Sequence, residues 1–232
     1  MKSIQYVATL PHVREVSLVG AADLGFWTDR LKAENLAPLE VDGRAQILVI
    51  AADSWFLKLR FQELSFSISL SSGGAFLAQA FNSRRFFAFC ERTLFGTPYA
   101  FGDLAVAASL PASVQLTRKQ EPLFRAEMSA GAVAEAGSSP YQDGWEGPLF
   151  LPSRRPEQSS DRLFFAQIRG ATQTVGFQPS RDVLAIRPSN ELPVFQALID
   201  SHFSPTHWLV RPDAMHAKSK TYGRKSHDQA NF

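Results

Sequence analysis

Five stretches of this chain are rich in aliphatic and aromatic residues and are separated by glycine- or proline-containing breaks such as Gly73-Gly74 and Gly96-Thr97-Pro98. They are residues 41–51, 54–70, 76–91, 104–116 and 163–177. Runs of this composition between turn residues are typical of β-strands. Because so many strands accompany so few helical patterns, we expect a mainly β (α+β) fold, an antiparallel barrel or sandwich with helices at its periphery.

Two segments have the spacing of amphipathic helices. Residues 24–35 place Leu24, Trp27 and Leu31 on one face and end before Pro38. Residues 192–203 begin with a proline, tolerated in a first helical turn, and continue with an apolar stripe. We therefore predict two peripheral helices.

Composition excludes several classes of protein. The chain has 232 residues, 45% of them hydrophobic, which is enough to bury one large core, so we expect a single domain over residues 1–215. The formal charge of +2 does not suggest a nucleic-acid partner. No apolar run approaches the ~20 residues of a membrane helix, so we expect no membrane association. The single Cys90 excludes an internal disulfide and fits a cytoplasmic location.

Two segments depart from the strand pattern. Residues 129–161 are rich in Gly, Ala, Ser, Pro and Glu, which predicts a long loop that either covers a site, contacts another subunit or is a mobile insertion. Residues 216–232 are polar and basic, and are predicted to form a disordered tail.

Four short motifs occur in the order and spacing of one enzyme family. They are 13–16 (VREV), 61–63 (FQE), 92–100 (RTLFGTPYA), and the series of 166–168, 192–193 and Pro212. Together the motifs resemble the acetoacetate decarboxylase family from about Arg14 to Pro212. The resemblance implies an acetoacetate decarboxylase-like antiparallel barrel or cone and a homo-oligomer.

The resemblance also implies a site. In that family a lysine forms an imine with a β-keto acid, an arginine binds the substrate carboxylate and a buried glutamate handles protons. Arg14 and Glu63 match that arginine and that glutamate, and Arg92 matches a further signature arginine. Tyr99 and Ala100 stand where the family carries its reactive lysine and the lysine after it. A phenol cannot form an imine, so the family's covalent route is expected to be closed.

Glu63 has an interpretation that does not depend on the family. The apolar alternation of residues 55–61 keeps Glu63 on the buried face, and the alternation then changes, which would be explained by a β-bulge. Burial would raise the pKa of Glu63 and suit it to proton transfer. A structural Arg–Glu pair is the alternative, and Tyr99 is either a core aromatic or a hydrogen-bond donor to an oxyanion.

Other lysines are predicted to lie elsewhere. Lys58 is expected to point away from the apolar face of its strand, and nothing in the sequence directs Lys218 or Lys220 of the predicted tail to the site. His202 and His207 are poorly spaced for a metal, so we expect neither a metal nor a cofactor.

Two functions remain open for a protein that would hold a small carboxylic acid, keto acid or apolar metabolite. The first is an enzyme, lyase-like if it is one, that works without an imine. Glu63 and Tyr99 would then be catalytic, and Arg14 and Arg92 would bind the substrate. The second is a catalytically silent small-molecule-binding protein.

Overall fold

A computed structural model describes residues 4–132, 144–153 and 161–224 of the chain. Within them the dominant element is a closed barrel of seven strands, together with further strands and three α-helices. The strands in chain order are β1 Tyr6–Asp23, β2 Glu40–Val41, β3 Arg44–Phe56, β4 Leu59–Ser69, β5 Ala75–Asn82, β6 Tyr99–Phe101, β7 Asp103–Ala107, β8 Ser113–Arg118, β9 Glu121–Glu127, β10 Trp145–Phe150, β11 Arg162–Arg169, β12 Gln173–Gly176, β13 Val183–Ile186, β14 Ser204–Ser219 and β15 Tyr222–Gly223. The helices are α1 Leu24–Lys32, α2 Arg85–Cys90 and α3 Pro193–Asp200, and a π-helical segment, Glu91–Phe95, continues α2.

The barrel closes through the strand order β1-β3-β4-β5-β10-β11-β14 and back to β1. Every pair is antiparallel except β5 with β10, which run parallel. The two longest strands, β1 and β14, pair over most of their length. The mainly β prediction is therefore confirmed.

The main hydrophobic core lies outside the barrel wall, where a second sheet of order β13-β9-β8-β7 packs together with α1 and α3. Phe66 on β4 has its ring centroid 5.4 Å from those of both Phe124 on β9 and Phe195 on α3. Apolar side chains on the outer faces of the barrel strands are therefore buried against this layer. The side chains that point into the barrel are fewer and more polar.

Strand β4 shows why the apolar alternation changes near Glu63. The pairing of β3 with β4 has no irregularity, so the predicted bulge at Glu63 is wrong; a register shift lies instead at Phe66/Ser67 in the pairing with β5. Both faces of β4 are covered. Leu64 and Phe66 face the outer core, whereas Glu63 lies on the inner face with the serines of the strand.

The predicted helices are present, but several predicted strands are interrupted, because 54–70, 104–116 and 163–177 each contain the connection between two strands. Helix α1 begins after Asp23, whose carboxylate accepts a hydrogen bond from the Phe26 N–H at 2.6 Å, and α3 has Pro193 in its first turn. The strand predicted over 76–91 ends at Asn82 and the chain turns into α2, so Cys90 lies on a helix. The aromatic run in α2 is compatible with either structure, so its composition did not distinguish them.

Both segments predicted to be irregular contain barrel strands. Within 129–161, residues 145–150 form β10; residues 133–143 and 154–160 lie outside the described residues. The predicted tail is wrong for residues 216–224, since β14 runs to Ser219 and β15 follows. Residues 225–232 lie outside the described part of the chain.

Among the described residues, no helix has the length and apolar character needed to cross a membrane.

The outer core makes a direct prediction for Phe66, which is 1% exposed and contacts the rings of Phe81, Phe124 and Phe195. We expect Phe66→Ala to lower the free energy of unfolding by about 3–5 kcal/mol, because it leaves a cavity. Val41→Ala, at a 44% exposed position, should change it by no more than about 0.5 kcal/mol. Urea unfolding of both variants tests this, and equal effects would contradict the assignment of the core.

Candidate functional site

A row of polar side chains crosses the inside of the barrel at the level of Glu63. In cross-strand register, Arg211 pairs with Glu15, Glu15 with Ala52, Ala52 with Glu63, and Glu63 with Asn82. Neighbouring strands lie about 4.8 Å apart, so the backbones of Glu15 and Glu63 are separated by roughly 10 Å across the barrel wall. The small Ala52 side chain lies between the two carboxylates.

Glu15 is fully buried and forms the first polar centre. Its carboxylate accepts hydrogen bonds from the Arg211 guanidinium and from the Ser17 hydroxyl at 2.8 Å, and it contacts His216 Nε2 at 2.6 Å. Burial alone would raise the pKa of Glu15. The hydrogen bond and charge of His216, the Arg211 charge and the Ser17 hydrogen bond outweigh burial and hold that pKa at about 2. Glu15 is therefore a permanent anion.

Lys218 and Glu91 form the second polar centre, close to Glu63. The Lys218 ammonium donates to Glu91 Oε2, which also accepts from the Thr97 hydroxyl at 2.9 Å. Lys218 Nζ lies 4.6 Å from the ring centroids of both Phe95 and Phe164. The side chains of Lys218 and Glu91 are only 18% and 19% exposed, so the ion pair is held in largely apolar surroundings.

Among the described residues, no arginine forms an ion pair with Glu63. Asn82 Nδ2 donates to its Oε1 at 2.9 Å. Burial and the nearby charge of Glu91 raise the pKa of Glu63 to about 7, although Lys218, the Asn82 hydrogen bond and His216 act in the opposite direction. A carboxyl group with such a pKa is partly protonated near neutral pH and can both donate and accept a proton.

Tyr99 completes this cluster from β6, whose residues pair in parallel with the end of β5. Burial, the charges of Glu63 and Glu91 and a hydrogen bond to Glu63 hold the pKa of Tyr99 well above its ordinary value. The phenol is therefore a neutral hydrogen-bond donor at physiological pH. Its ring centroid lies 5.8 Å from Lys218 Nζ.

A cavity of about 80 Å³ adjoins these groups inside the barrel. Its walls are mainly apolar, with Glu15, Ser17, Ser65, Ser67 and Arg211 as the polar contributions. Two residues that line the cavity lie opposite residues of the polar cluster on the neighbouring strand. Ala166 pairs with Lys218, and Ile168 pairs with His216. The cavity therefore lies next to the strand position of Lys218 and has the Arg211 guanidinium on its wall, although Lys218, Glu63, Glu91 and Tyr99 are not among its lining residues.

The structure brings Glu63 and Tyr99 together, but it does not bring Arg14 or Arg92 to them. Arg14 faces the outside of the barrel, where its guanidinium binds Asp53, and its side chain is 54% exposed. Adjacent residues on a strand point to opposite faces, so Glu15, not Arg14, enters the barrel. Arg92 is exposed on the π-helical segment.

Sequence reasoning missed Glu15, Glu91, Arg211, His216 and Lys218. Lys218 was assigned to a mobile tail, and that assignment is wrong because Lys218 lies on β14. The signal that was missed is the spacing of His216 and Lys218. Residues two apart on a strand point to the same face, so a strand over 214–219 would place these two side chains together. The described residues contain no group of three or more His, Cys, Asp or Glu that could hold a metal ion.

Comparison with known proteins gives structural matches only: no protein-family model matches the chain, and no curated protein matches it significantly. An acetoacetate decarboxylase from Legionella pneumophila matches with a TM-score of 0.64 and 11% identity, over 96% of this chain and 88% of that chain. An acetoacetate decarboxylase-like enzyme from Sphingomonas wittichii RW1 matches with a TM-score of 0.58 and 14% identity, over 93% and 91%. The chain has an acetoacetate decarboxylase-like fold. A third structure of this fold, the enduracididine biosynthesis enzyme MppR with the condensation product of pyruvate and imidazole 4-carboxaldehyde, matches with a TM-score of 0.61 and 12% identity, over 95% and 90%.

The raised pKa of Glu63 predicts how stability depends on pH. The folded protein binds the proton of the Glu63 carboxyl group more tightly than the unfolded chain does. The stabilisation of the folded state by this proton is therefore complete below about pH 4.5 and is lost as pH rises through about 7. The difference between the two pKa values corresponds to at most about 3 kcal/mol. We expect the wild type to lose more stability than Glu63→Gln between pH 5 and pH 8 in urea unfolding. Identical pH profiles would show that Glu63 is not desolvated as described.

Proposed function

We propose that this protein acts on a small keto acid by forming an imine with Lys218. The observation that supports this most strongly is the position of the Lys218 amine, inside the barrel beside Glu91, Glu63 and Tyr99. The expectation that the covalent route is closed depended on the loss of two lysines at the start of β6, where Tyr99 and Ala100 stand. An amine supplied by β14 removes that objection, because imine formation requires a lysine within the site and not at a particular position in the chain.

The groups around Lys218 match the proton transfers of imine formation. A neutral amine attacks the carbonyl carbon, the carbonyl oxygen becomes a hydroxyl, and water leaves as the C=N bond forms. In this proposal Glu91, which is bonded to Lys218, accepts the ammonium proton, and the Tyr99 phenol donates a hydrogen bond to the developing oxyanion. Glu63, with a pKa of about 7, supplies the proton that the departing water requires.

The cavity supports a small acid as the substrate. Its volume of about 80 Å³ corresponds to two or three water molecules, so a substrate of a few heavy atoms fits without rearrangement. We assign binding of the substrate carboxylate to Arg211, on the cavity wall, in place of Arg14. The protonated imine then accepts the electron pair released when carbon dioxide or a proton leaves the adjacent carbon. A pyruvate-derived ligand in MppR, a protein of the same fold, supports this substrate class.

A catalytically silent binding protein is the second candidate, and one observation favours it. The direct ion pair with Glu91 stabilises Lys218 as an ammonium, which is not a nucleophile. In that case Lys218 and Arg211 would bind an acidic ligand in the same cavity without covalent chemistry.

Imine formation predicts a covalent adduct at one lysine. We expect borohydride treatment with pyruvate or acetoacetate to add the reduced substrate to Lys218 of the intact protein, as located by peptide mass mapping. Lys218→Met should abolish the adduct. Lys220→Met is the matched control, because Lys220 lies on the same segment but is exposed, and it should leave labelling unchanged.

An absent adduct with both keto acids, alongside a labelled control decarboxylase, would reject the imine and favour the silent binding protein. An adduct at another lysine would reject the assignment of Lys218.

The role of Glu63 predicts a separation of binding from proton transfer. In Glu63→Gln we expect exchange of the substrate's α-hydrogens with deuterated water to slow by about 10²–10⁴-fold, because a positioned acid or base contributes a factor of that size. Borohydride trapping at Lys218, after prolonged incubation, should persist. NMR of the methyl signal of pyruvate measures the exchange, and an unchanged rate would exclude Glu63 from proton transfer.

A further inference from the structure

A cluster of large apolar side chains is exposed on one side of the molecule. The tip of the β3–β4 hairpin contributes Trp55, Phe56, Leu57 and Leu59, and α2 contributes Phe86 and Phe89; we call these six residues the aromatic surface. Their exposed fractions are 58%, 40%, 80%, 52%, 67% and 54%. The partly buried Phe87 joins the two parts, since its ring centroid lies 6.1 Å from that of Phe56 and 5.9 Å from that of Phe86.

The hairpin tip carries apolar residues at a conformational cost. Leu57 and Lys58 form the two-residue connection and have φ values of +48° and +66°. Both positions of such a turn favour Asn and Gly, because a side chain on Cβ is disfavoured at positive φ. A leucine that is 80% exposed at this position contributes nothing to the protomer's core. Its presence is explained if it contacts another molecule.

The size of the aromatic surface fits a subunit contact. At their exposed fractions the six side chains present on the order of 700 Å² of accessible surface, taking about 150–250 Å² for each residue. A standard protein interface covers about 800 Å² on each partner, and large exposed apolar patches are uncommon on monomers. Tryptophan, phenylalanine and arginine are also the residue types enriched in such interfaces.

The charges near the aromatic surface do not prevent one copy from meeting another. The segments 54–62 and 83–90 contain four cations and no carboxylate. Two of the cations are already engaged within the protomer: Arg60 binds the buried Asp53, and Arg85 lies 4.7 Å from the ring centroid of Phe101. Lys58 and Arg84 are exposed, where solvent and salt screen their charges.

Helix α2 links this surface to the polar cluster. The helix has six residues and buries only Ala88, and the π-helical segment that follows it buries none. The first residue of that segment is Glu91, the partner of Lys218. The residues that position Glu91 therefore have little packing within one protomer, and covering the exposed face of α2 would restrict their motion.

We propose that the aromatic surface is the contact between two copies of this chain, and that this contact holds α2 and the π-helical segment so that Glu91 stays against Lys218. The contact itself is independent of the proposed function. Its effect on imine formation rests on the proposed function.

The mass of the protein in solution tests the contact. We expect the wild type to sediment at micromolar concentration as a multiple of its 25.7 kDa chain mass. In the double variant Trp55→Ser, Leu57→Asn, the dissociation constant of the oligomer should be at least tenfold higher than in the wild type. The variant should still fold, since Asn suits the turn better than Leu. Val41→Ser and Val183→Ser, at 44% and 39% exposed positions away from this surface, should leave the mass unchanged.

Three outcomes would overturn the proposal. The first is a double variant that keeps the wild-type mass. The second is a monomeric wild type that does not bind phosphatidylglycerol vesicles, and the third is a monomeric wild type that binds them through Trp55 and Leu57, which would assign the surface to a membrane. If the double variant does not fold, Phe86→Ser takes its place, because this residue is 67% exposed on α2.

Borohydride trapping of the dissociated variant separates the two proposals. Dissociation with a lower yield at Lys218 supports both the contact and its coupling to the site. Dissociation with an unchanged yield supports the contact and refutes the coupling. Dissociation where the wild type itself forms no adduct supports the contact and rejects the proposed function.

Discussion

The ion pair between Lys218 and Glu91 is the interaction on which the account of this site depends. It connects the last long strand of the barrel to the π-helical segment after β5, and it lies among Phe95, Phe164 and Tyr99. Removing two charges from water costs several kcal/mol per ion, which their attraction offsets only in favourable geometry. Apolar residues would fill the same space at lower cost, so an ion pair here is better explained by chemistry than by stability.

The distribution of cations around the three interior carboxylates sets their protonation. Glu15 has Arg211 and His216, and its pKa is about 2. Glu91 has Lys218. Glu63 accepts from the Asn82 amide, shares a hydrogen bond with the Tyr99 phenol, is buried and lies near the charge of Glu91, so its pKa rises to about 7. Glu15 and Glu91 are therefore each held in direct contact with a basic side chain, and Glu63 is left available to exchange a proton near neutral pH.

The sequence predicted features that depend on a local pattern better than features that depend on how strands pair with one another. The strand-rich composition and both peripheral helices were predicted. The alternation in 55–61 was interpreted as a buried face, but Trp55, Leu57 and Leu59 are exposed at a hairpin tip, so the inner-face position of Glu63 does not follow from it. The long strand β1 was missed, and so was the way its alternation places Glu15 inside and Arg14 outside. Matching a motif by position does not show which face of a strand a residue occupies, and only the pairing of β14 with β1 and β11 shows that Lys218 enters the barrel.

The most direct measurement is the NMR signal of the Lys218 side-chain amine in protein labelled with ¹⁵N-lysine, assigned with Lys218→Met. We predict slow exchange of its ammonium hydrogens with water, because the group is bonded to Glu91 and largely covered by aromatic rings. We also predict that adding pyruvate shifts this signal and leaves that of the exposed Lys58 unchanged. A Lys218 signal that exchanges as fast as that of Lys58 and does not respond to pyruvate would contradict the account.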